Sequence, residues 1–180
     1  AGYLLIGIAA VSATGAAAVL FYLVQYAFTT LCAFLVLVAV KNSNEEAGEL
    51  ESLNGLHRRS PFLAASLALS MISLAGVPPM SGFFAKFMLF YAAIDRGLQS
   101  PAMIALVIVA CVGVVISLYY YFKVIRAAYF EEATDAAPIH VPAAMRIGII
   151  ACLGIIVILG VYPRPLFDAA QLVAKALGLP

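Results

Sequence analysis

Residues 16–40 form an apolar segment that contains no charged side chain. About 20 apolar residues suffice for a helix to cross the hydrocarbon core of a bilayer, at about 1.5 Å of rise per residue. The rest of the chain has the same character: 65% of its residues are hydrophobic, only 11% are charged and the mean hydropathy is +1.08. Soluble domains have about 25% charged residues. The chain is therefore predicted to be an all-α polytopic membrane protein.

Glycine, proline and polar residues divide the chain into apolar segments that predict about six transmembrane helices. These segments are residues 2–13, 16–40, 61–77, 80–95, 101–122 and 143–162. Residues 1–162 are thus predicted to form one transmembrane bundle, with polar loops at 41–60 and 131–142. Residues 163–180 are predicted to form an amphipathic helix on the membrane surface, because their apolar side chains share one helical face. Those side chains are Leu166, Phe167, Ala170, Val173, Ala174 and Leu177.

The chain begins with AGYLLIGIAAVSA, which is apolar from its first residues. This stretch has no initiator methionine, charged n-region or cleavage motif, so it does not have the pattern of a signal peptide. It has the pattern of a sequence that starts inside a helix. We therefore expect the chain to be the C-terminal part of a longer protein.

The charges and cysteines argue against several classes of function. The net charge is +1 and the longest basic run is the pair Arg58-Arg59, which gives no electrostatic basis for binding nucleic acid. The three cysteines lie in apolar segments without CxxC spacing and without a nearby histidine or carboxylate. They are Cys32, Cys111 and Cys152. They are predicted to be small buried hydrophobic residues, and no metal site is predicted.

One cation interrupts the apolar pattern. It is Lys86, in the stretch GVPPMSGFFAKF at residues 76–87. An unpaired ammonium group in hydrocarbon costs several kcal/mol, and ionisable groups inside membranes usually mark ion or proton routes. The alternative is a lysine near a helix end, whose flexible stem carries the charge to the headgroups. We favour a buried lysine that faces a hydrated interior, because a lysine in such a place can release and recapture a proton near neutral pH.

The residues around Lys86 predict a helix break. Gly76, Pro78, Pro79 and Gly82 interrupt the helical pattern, and proline cannot continue the hydrogen bonding of a preceding helix. Backbone groups left unpaired inside a membrane are tolerated only where neighbouring groups or water satisfy them, so water is predicted beside Lys86. Gly82 lies four residues before Lys86 on the same face, where a missing side chain leaves room for water or a neighbouring backbone.

The depth of Lys86 depends on how the break is arranged. If Pro78-Pro79 forms a tight turn at one membrane face, Lys86 lies near the midplane. If residues 61–95 form a single spanning element broken by the prolines, Lys86 lies past the middle of that element. Both arrangements fit the pattern of residues.

Hydroxyl groups on neighbouring segments are candidates for holding a file of water molecules near the lysine. They are Tyr26, Thr29, Thr30, Ser70, Ser73 and Ser117. For each of them, a hydrogen bond to the carbonyl four residues back in its own helix is the more frequent arrangement. His57 and His140 are predicted to be solvated loop residues rather than proton-entry groups.

One long stretch and two shorter ones beside it resemble a known family. LNGLHRRSPFLAASLALSMISLAGVPPMSGFFAKFMLFYAA, with GYLLIG before it and ISLYYYFKVIRAAYF after it, closely resembles the C-terminal part of subunit N of proton-pumping NADH-quinone oxidoreductase, respiratory complex I. The core SLAGVPP…GFFAKF is similar to that of the antiporter-like membrane subunits. Sibling subunits tend to carry a glutamate or a Lys-Asp-Glu run where this chain has AKF, and a histidine and a lysine where Tyr26 and Thr30 stand here. These differences favour subunit N.

The resemblance implies a subunit of 14 helices built from two inverted repeats, with Lys86 on a discontinuous helix and the first repeat absent from this chain. It implies a proton-translocating part of a redox enzyme, a translocase, which holds no redox centre itself. NADH, flavin, iron–sulfur clusters and quinone would belong to partner subunits. Its partners would be other membrane subunits and the lipid bilayer, and its location would be the bacterial inner membrane. The alternative is a large subunit of a stand-alone multi-subunit cation/proton antiporter, which shares the same core motif.

The orientation in the membrane stays open at this stage. With six helices, residues 41–60, residues 95–100 and the C-terminal tail would share one face. The excess of lysine and arginine on that face would place it in the cytoplasm, whereas the resemblance implies that the C-terminus lies outside.

Overall fold

The computed structural model describes residues 2–43, 50–97, 100–133, 137–176 and 178, and every extended element among them is helical. The helices are α1 (Leu4–Ala9), α2 (Ala13–Ser43), α3 (Leu56–Arg59), α4 (Pro61–Ala75), α5 (Ser81–Gly97), α6 (Pro101–Phe130), α7 (Ala143–Val161) and α8 (Arg164–Ala176). A short 3-10 turn at Leu50–Leu53 precedes α3. The all-helical prediction is confirmed for the described part of the chain.

Each of the six predicted apolar segments contains one helix. Within the described residues, α2, α6 and α7 are long and apolar enough to cross a membrane. The helix α6 continues to Phe130, eight residues beyond its predicted end at residue 122. The tyrosines and cations at 119–126 do not stop it, because that stretch contains no proline or glycine and a helix tolerates all of its residues.

The helices α4 and α5 lie end to end along α2. In the largest apolar cluster, residues in the second half of α2, such as Val36 and Val40, are grouped with Leu63 and Leu67 of α4. In a separate cluster, Phe21 in the first half of α2 packs with Ala85 and Leu89 of α5. Residues 61–97 therefore run once along α2 as a broken element, which is the second of the two arrangements considered for the depth of Lys86.

The two polar loops meet at one end of the bundle, which we call the loop end. The backbone N–H of Gly55 donates to the carbonyl of Ala127 at 3.1 Å, and the N–H of Ile139 donates to the carbonyl of Arg59 at 3.3 Å. The buried Arg59 side chain also donates to the carbonyl of Ala137. These bonds connect the residues around α3 to the end of α6 and to the segment before α7.

His57 is held within this end of the bundle. Its Nδ1 lies 3.1 Å from the carbonyl oxygen of Ala128, and its ring stacks on Tyr129 with the centroids 5.7 Å apart. The prediction of a solvated loop residue is therefore wrong for His57, because the C-terminal extension of α6 packs against it. His140 is exposed, as predicted.

The helix α8 packs against the beginning of α2, at the end of the bundle opposite the loop end. Ala170 and Ala174 are buried and share a cluster with Ala17. Small side chains on both helices allow this close contact. Val173, which the pattern placed on the apolar face, is 51% exposed. Leu177 lies outside the described residues.

The predicted grouping of chain segments by face is wrong. Residues 50–59 lie with residues 127–133 and 137–139 at the loop end, whereas α8 lies at the opposite end. The reason is that α4 and α5 run in one direction along α2 rather than as a hairpin.

Two of the three cysteines follow the prediction. Cys32 and Cys152 are buried within the largest apolar cluster. Cys111 is exposed on α6, so the prediction of burial fails there. Much of the surface of α6 around it consists of exposed apolar side chains, which suits contact with lipid or with another protein.

Candidate functional site

The break between α4 and α5 begins with a glycine that ends α4. Gly76 has φ of 83° and ψ of 38°, in the left-handed region that favours glycine. Its N–H bonds to the carbonyl of Ser73 at 3.0 Å, and the N–H of Val77 bonds to the carbonyl of Ile72 at 3.2 Å. This is the hydrogen-bond pattern of a Schellman motif, which satisfies two of the last four carbonyls of the helix.

The other two carbonyls at the end of α4 bind Lys86. The Nζ atom donates to the carbonyl oxygen of Leu74 at 2.8 Å and to that of Ala75 at 3.0 Å. The C-terminus of a helix carries partial negative charge, which stabilises a cation placed there. The lysine of α5 thus caps the helix that precedes it in the chain.

Besides these two carbonyls, the ammonium group lies beside an aromatic ring. Lys86 is only 7% exposed, and its Nζ lies 5.2 Å from the centroid of the Tyr3 ring, within the range of a cation–π contact. An ion pair between described residues joins Arg126 to Glu131, both on the surface at the loop end and far from Lys86. The charge of Lys86 is therefore balanced by carbonyl dipoles and an aromatic face rather than by a carboxylate of the described segments.

Two glycines allow close backbone contacts at the break, one between α5 and α4 and one between α7 and the residues that join them. A Cβ atom added to Gly82 would collide with the carbonyl oxygen of Ser73, and one added to Gly160 of α7 would collide with the carbonyl oxygen of Pro79. Of the two possibilities predicted for Gly82, a neighbouring backbone occupies the space. The expectation of room for water at that position is wrong.

The predicted hydroxyl groups are mostly bound to their own helices. Thr29, Thr30 and Ser70 donate to the carbonyls four residues back, at 2.7, 2.6 and 2.9 Å. Ser117 donates to the carbonyl of Val114. The structure describes no hydrogen bond from these hydroxyls to Lys86. The alternative of a bond to the carbonyl four residues back therefore holds for Thr29, Thr30 and Ser70, whereas Ser117 bonds three residues back. A water-holding role remains a prediction.

Tyr26 and Ser73 are arranged differently. The Tyr26 ring stacks on Tyr22, with the centroids 5.8 Å apart. Ser73 is fully buried, and its Oγ lies 3.3 Å from the Oγ of Ser81 and accepts the N–H of Gly82 at 3.4 Å. Ser73 is thus the predicted hydroxyl that connects α4 directly to α5.

The sequence reasoning missed two polar residues beside the break. Ser81 is fully buried and its Oγ donates to Oε1 of Gln25 on α2 at 3.4 Å. Oε1 of Gln25 also lies 3.1 Å from the Thr29 hydroxyl, whose single proton points to the closer backbone carbonyl of Gln25 or is shared between the two oxygens. Gln25 carried a usable signal, because an uncharged amide inside an otherwise apolar segment needs a buried polar partner.

A surface groove lies away from the break. It has a volume of about 800 Å³ and opens at the loop end between the 3-10 turn and the end of α6. Lys86 and the residues of the break do not line it. The chemistry available at the break is that of one protonatable amine held against carbonyl oxygens.

A buried lysine on a broken helix, inside an apolar helical bundle, defines a membrane protein with an ionisable group among its packed helices. The chain belongs to the family described as "NADH:quinone oxidoreductase/Mrp antiporter, TM", whose sequence profile matches residues 1–117. This confirms the resemblance noted from the sequence.

Individual relatives agree with the family. The chain is 41% identical over 177 residues to NADH-quinone oxidoreductase subunit N 2 of Solidesulfovibrio magneticus, which covers 98% of the chain and 36% of the relative. It is 35% identical over 176 residues to subunit N of Granulibacter bethesdensis, with 98% and 36% covered. The chain therefore spans about 36% of the length of these relatives.

Solved structures show the same fold. A chain of respiratory complex I from Thermus thermophilus with bound aureothin superposes with a TM-score of 0.74 at 27% identity, covering 93% of this chain and 36% of that one. A chain of the Mrp complex from Dietzia sp. superposes with a TM-score of 0.82 at 24% identity, covering 96% and 39%. The second similarity concerns the fold alone.

Proposed function

We propose that the chain is part of a membrane subunit that translocates protons within an NADH-quinone oxidoreductase, with Lys86 as the proton-carrying group. The observation that carries the proposal is the capping of α4 by the Lys86 ammonium group at 2.8 and 3.0 Å. A lysine held by carbonyls alone can release its proton and remain bound as a neutral amine, because a neutral amine still donates hydrogen bonds. An arginine cannot do this.

The names of the relatives support this proposal over a stand-alone antiporter. Relatives at 35% and 41% identity are subunits N of NADH-quinone oxidoreductases. The family description also includes Mrp antiporters, so a large subunit of a multi-subunit cation/proton antiporter is the second candidate. The two differ in their driving reaction, which is quinone reduction in the first and exchange of a cation for protons in the second.

The partners and location follow from the same proposal. Other membrane subunits would surround the chain in a hetero-oligomer within the lipid bilayer, and bacterial relatives favour the bacterial inner membrane. NADH, flavin, iron–sulfur clusters and quinone would be bound by partner subunits, so that this chain contributes to the enzyme without a redox centre of its own. The proton would reach Lys86 through water and hydroxyl groups near the break.

We further propose how the helices lie in the membrane. All six predicted apolar segments lie in it, with α4 and α5 as the two halves of one broken span beside α2, α6, α7 and the short α1. The helix α8 lies along the membrane surface at the end opposite the loop end. Its charged residues Arg164, Asp168 and Lys175 are exposed, which suits that position.

The experiment for the proposed function uses the full-length subunit in its assembled complex, reconstituted into vesicles. NADH with a soluble quinone is expected to acidify the vesicle interior, and the acidification is expected to persist without sodium. Sodium-driven proton movement in the absence of NADH and quinone would instead identify the antiporter and contradict the proposal.

The arrangement of the helices also supports an orientation. Six of the ten lysines and arginines of the chain lie at the loop end, three lie at the opposite end, and Lys86 lies between them. The six are Lys41, Arg58, Arg59, Lys123, Arg126 and Arg146, and the three are Arg96, Arg164 and Lys175. By the positive-inside rule, the loop end faces the cytoplasm and α8 lies outside. Once the segments are grouped by end as the structure has them, the positive-inside rule and the family resemblance both support a C-terminus on the outside.

Single cysteines at the two ends test this orientation. In a variant of the full-length subunit without native cysteines, the exposed residues His140 and Lys175 would each be replaced by cysteine. A membrane-impermeant maleimide added to intact cells is expected to label K175C and not H140C. In inverted membrane vesicles the labelling is expected to reverse. Labelling of H140C in intact cells would contradict the orientation.

A further inference from the structure

A chain of buried polar groups joins α2, α4 and α5 beside the break. It runs from the N–H of Gly82 through the hydroxyls of Ser73 and Ser81 to Oε1 of Gln25, with separations of 3.4, 3.3 and 3.4 Å. The three side chains are at most 2% exposed. We call this set of groups the polar chain. It is the one place among the described residues where side chains from these three helices are linked by hydrogen bonds.

The direction of the hydrogen bonds in the polar chain is fixed by its ends. The Gly82 N–H can only donate, and the single proton of Ser81 goes to Oε1 of Gln25, so the Ser73 hydroxyl donates to Ser81. Both ends are amide groups, which do not readily exchange protons with a neighbouring hydroxyl. The polar chain is therefore suited to fixing positions rather than to carrying protons.

The polar chain connects the last turn of α4, which binds the Lys86 ammonium group, to the first turn of α5, which leads to Lys86. Ser73 is followed directly by Leu74 and Ala75, whose carbonyls accept from Lys86, and Gly82 lies four residues before Lys86 on α5. A shift of Ser81 relative to Ser73 would move the ammonium group away from both carbonyls. Oε1 of Gln25 also lies 3.1 Å from the Thr29 hydroxyl, whose one proton it shares with the backbone carbonyl of Gln25 at 2.7 Å.

We propose that Gln25 and Ser81 are positioning residues, which keep the first turn of α5 in register with the last turn of α4 so that Lys86 reaches its two carbonyls. The inference rests on the proposed function of Lys86. Separations of 3.3–3.4 Å are longer than the usual value of about 2.7–2.8 Å for hydroxyl hydrogen bonds. Each bond is therefore weak, and the effect on the register comes from the set acting together.

The test measures NADH-driven quinone reduction and proton pumping in assembled complex that contains the full-length subunit. Q25M keeps the size of the side chain and removes its hydrogen bonds, and S81A removes one hydroxyl. Each is expected to lower the coupled rate by about threefold to tenfold, since a misplacement of about 1 Å can cost up to about a hundredfold. The matched control is S66A, because Ser66 is a buried serine of α4 whose hydroxyl donates to the carbonyl of Phe62 in its own helix. S66A is expected to leave the rate unchanged.

Repeating both substitutions in a complex that already carries K86A separates a positioning role from a general effect on stability. In a K86A complex, Q25M and S81A are expected to cause no further loss, because the residue they position is absent. An equal fold-loss in both backgrounds, or rates equal to that of S66A in the native background, would overturn the proposal. S81A, the smaller change, decides the outcome if Q25M fails to assemble. A normal rate in K86A alone would instead contradict the proposed function.

Discussion

Replacement of Lys86 by alanine in the full-length subunit is expected to leave the complex assembled and to lower proton pumping and the coupled quinone reductase rate by at least about tenfold. Proton transfer by a positioned side chain typically contributes about 10²–10⁴-fold to a rate. The Lys86 ammonium group is the one charge described in the buried part of the break. Its removal would take away the one buried side chain described there that can bind and release a proton at neutral pH.

Assembly is expected to survive because two energy changes oppose each other. K86A leaves the carbonyls of Leu74 and Ala75 without their charged donor, and a hydrogen bond to a charged group contributes about 1.5–3 kcal/mol. The same change relieves the cost of burying an ammonium group in apolar surroundings, which is also several kcal/mol. The net change in stability should therefore be small, and native gels would check the amount of complex.

Two further variants sharpen this expectation. K86R keeps a cation that can donate to the carbonyls, but a guanidinium group effectively never loses its proton. It is expected to pump as poorly as K86A. K123A removes an exposed lysine of α6 and serves as the control with an unchanged rate. Normal pumping by K86A in an assembled complex would exclude a proton-relay role for Lys86. Normal pumping by K86R would show that a positive charge at position 86 is sufficient and that its deprotonation is not needed.

The helices and the break could be predicted because they depend on local chemistry. Long apolar segments, the pair Pro78-Pro79 and Gly76 are visible in the sequence and mark where α4 ends. The partners of Lys86 could not be predicted, because they depend on how the first turns of α5 pack against the end of α4 across the break. Gln25 and Ser81 were missed for the same reason: they are 56 positions apart in the chain.

The number of spans was harder to predict for a physical reason. At about 1.5 Å per residue, the 15 residues of α4 and the 17 of α5 measure about 23 and 26 Å. Both lengths are close to the hydrocarbon thickness of about 30 Å, so apolar length cannot tell two short spans from two halves of one. Treating them as separate spans placed the loop at 41–60 beside the wrong neighbours. Only the contacts of Gly55 and Arg59 with Ala127 and residues 137–139 correct it.

Replacement of Gly82 by alanine is expected to reduce the coupled rate by at least about tenfold, because the added Cβ atom would collide with the carbonyl oxygen of Ser73. Backbone cannot move aside as a flexible side chain can, and overpacking of this kind costs about 1–3 kcal/mol or more. The first turn of α5 would have to move away from α4. That movement would separate Lys86 from Leu74 and Ala75.

Gly154 provides the matched control for this collision. It is an exposed glycine within α7, and a Cβ atom built there meets no other atom within 4 Å. Both substitutions gain about 1 kcal/mol of helix propensity, so a difference between G82A and G154A reports the collision and not the propensity. We expect G154A to pump normally and G82A to pump poorly, with quinone reduction and vesicle acidification as the measurements. If G82A pumps as well as G154A, close contact between Gly82 and Ser73 is not needed to hold Lys86. The capping of α4 would then have to survive a displaced α5, and the register of the two half-helices would lose its proposed importance.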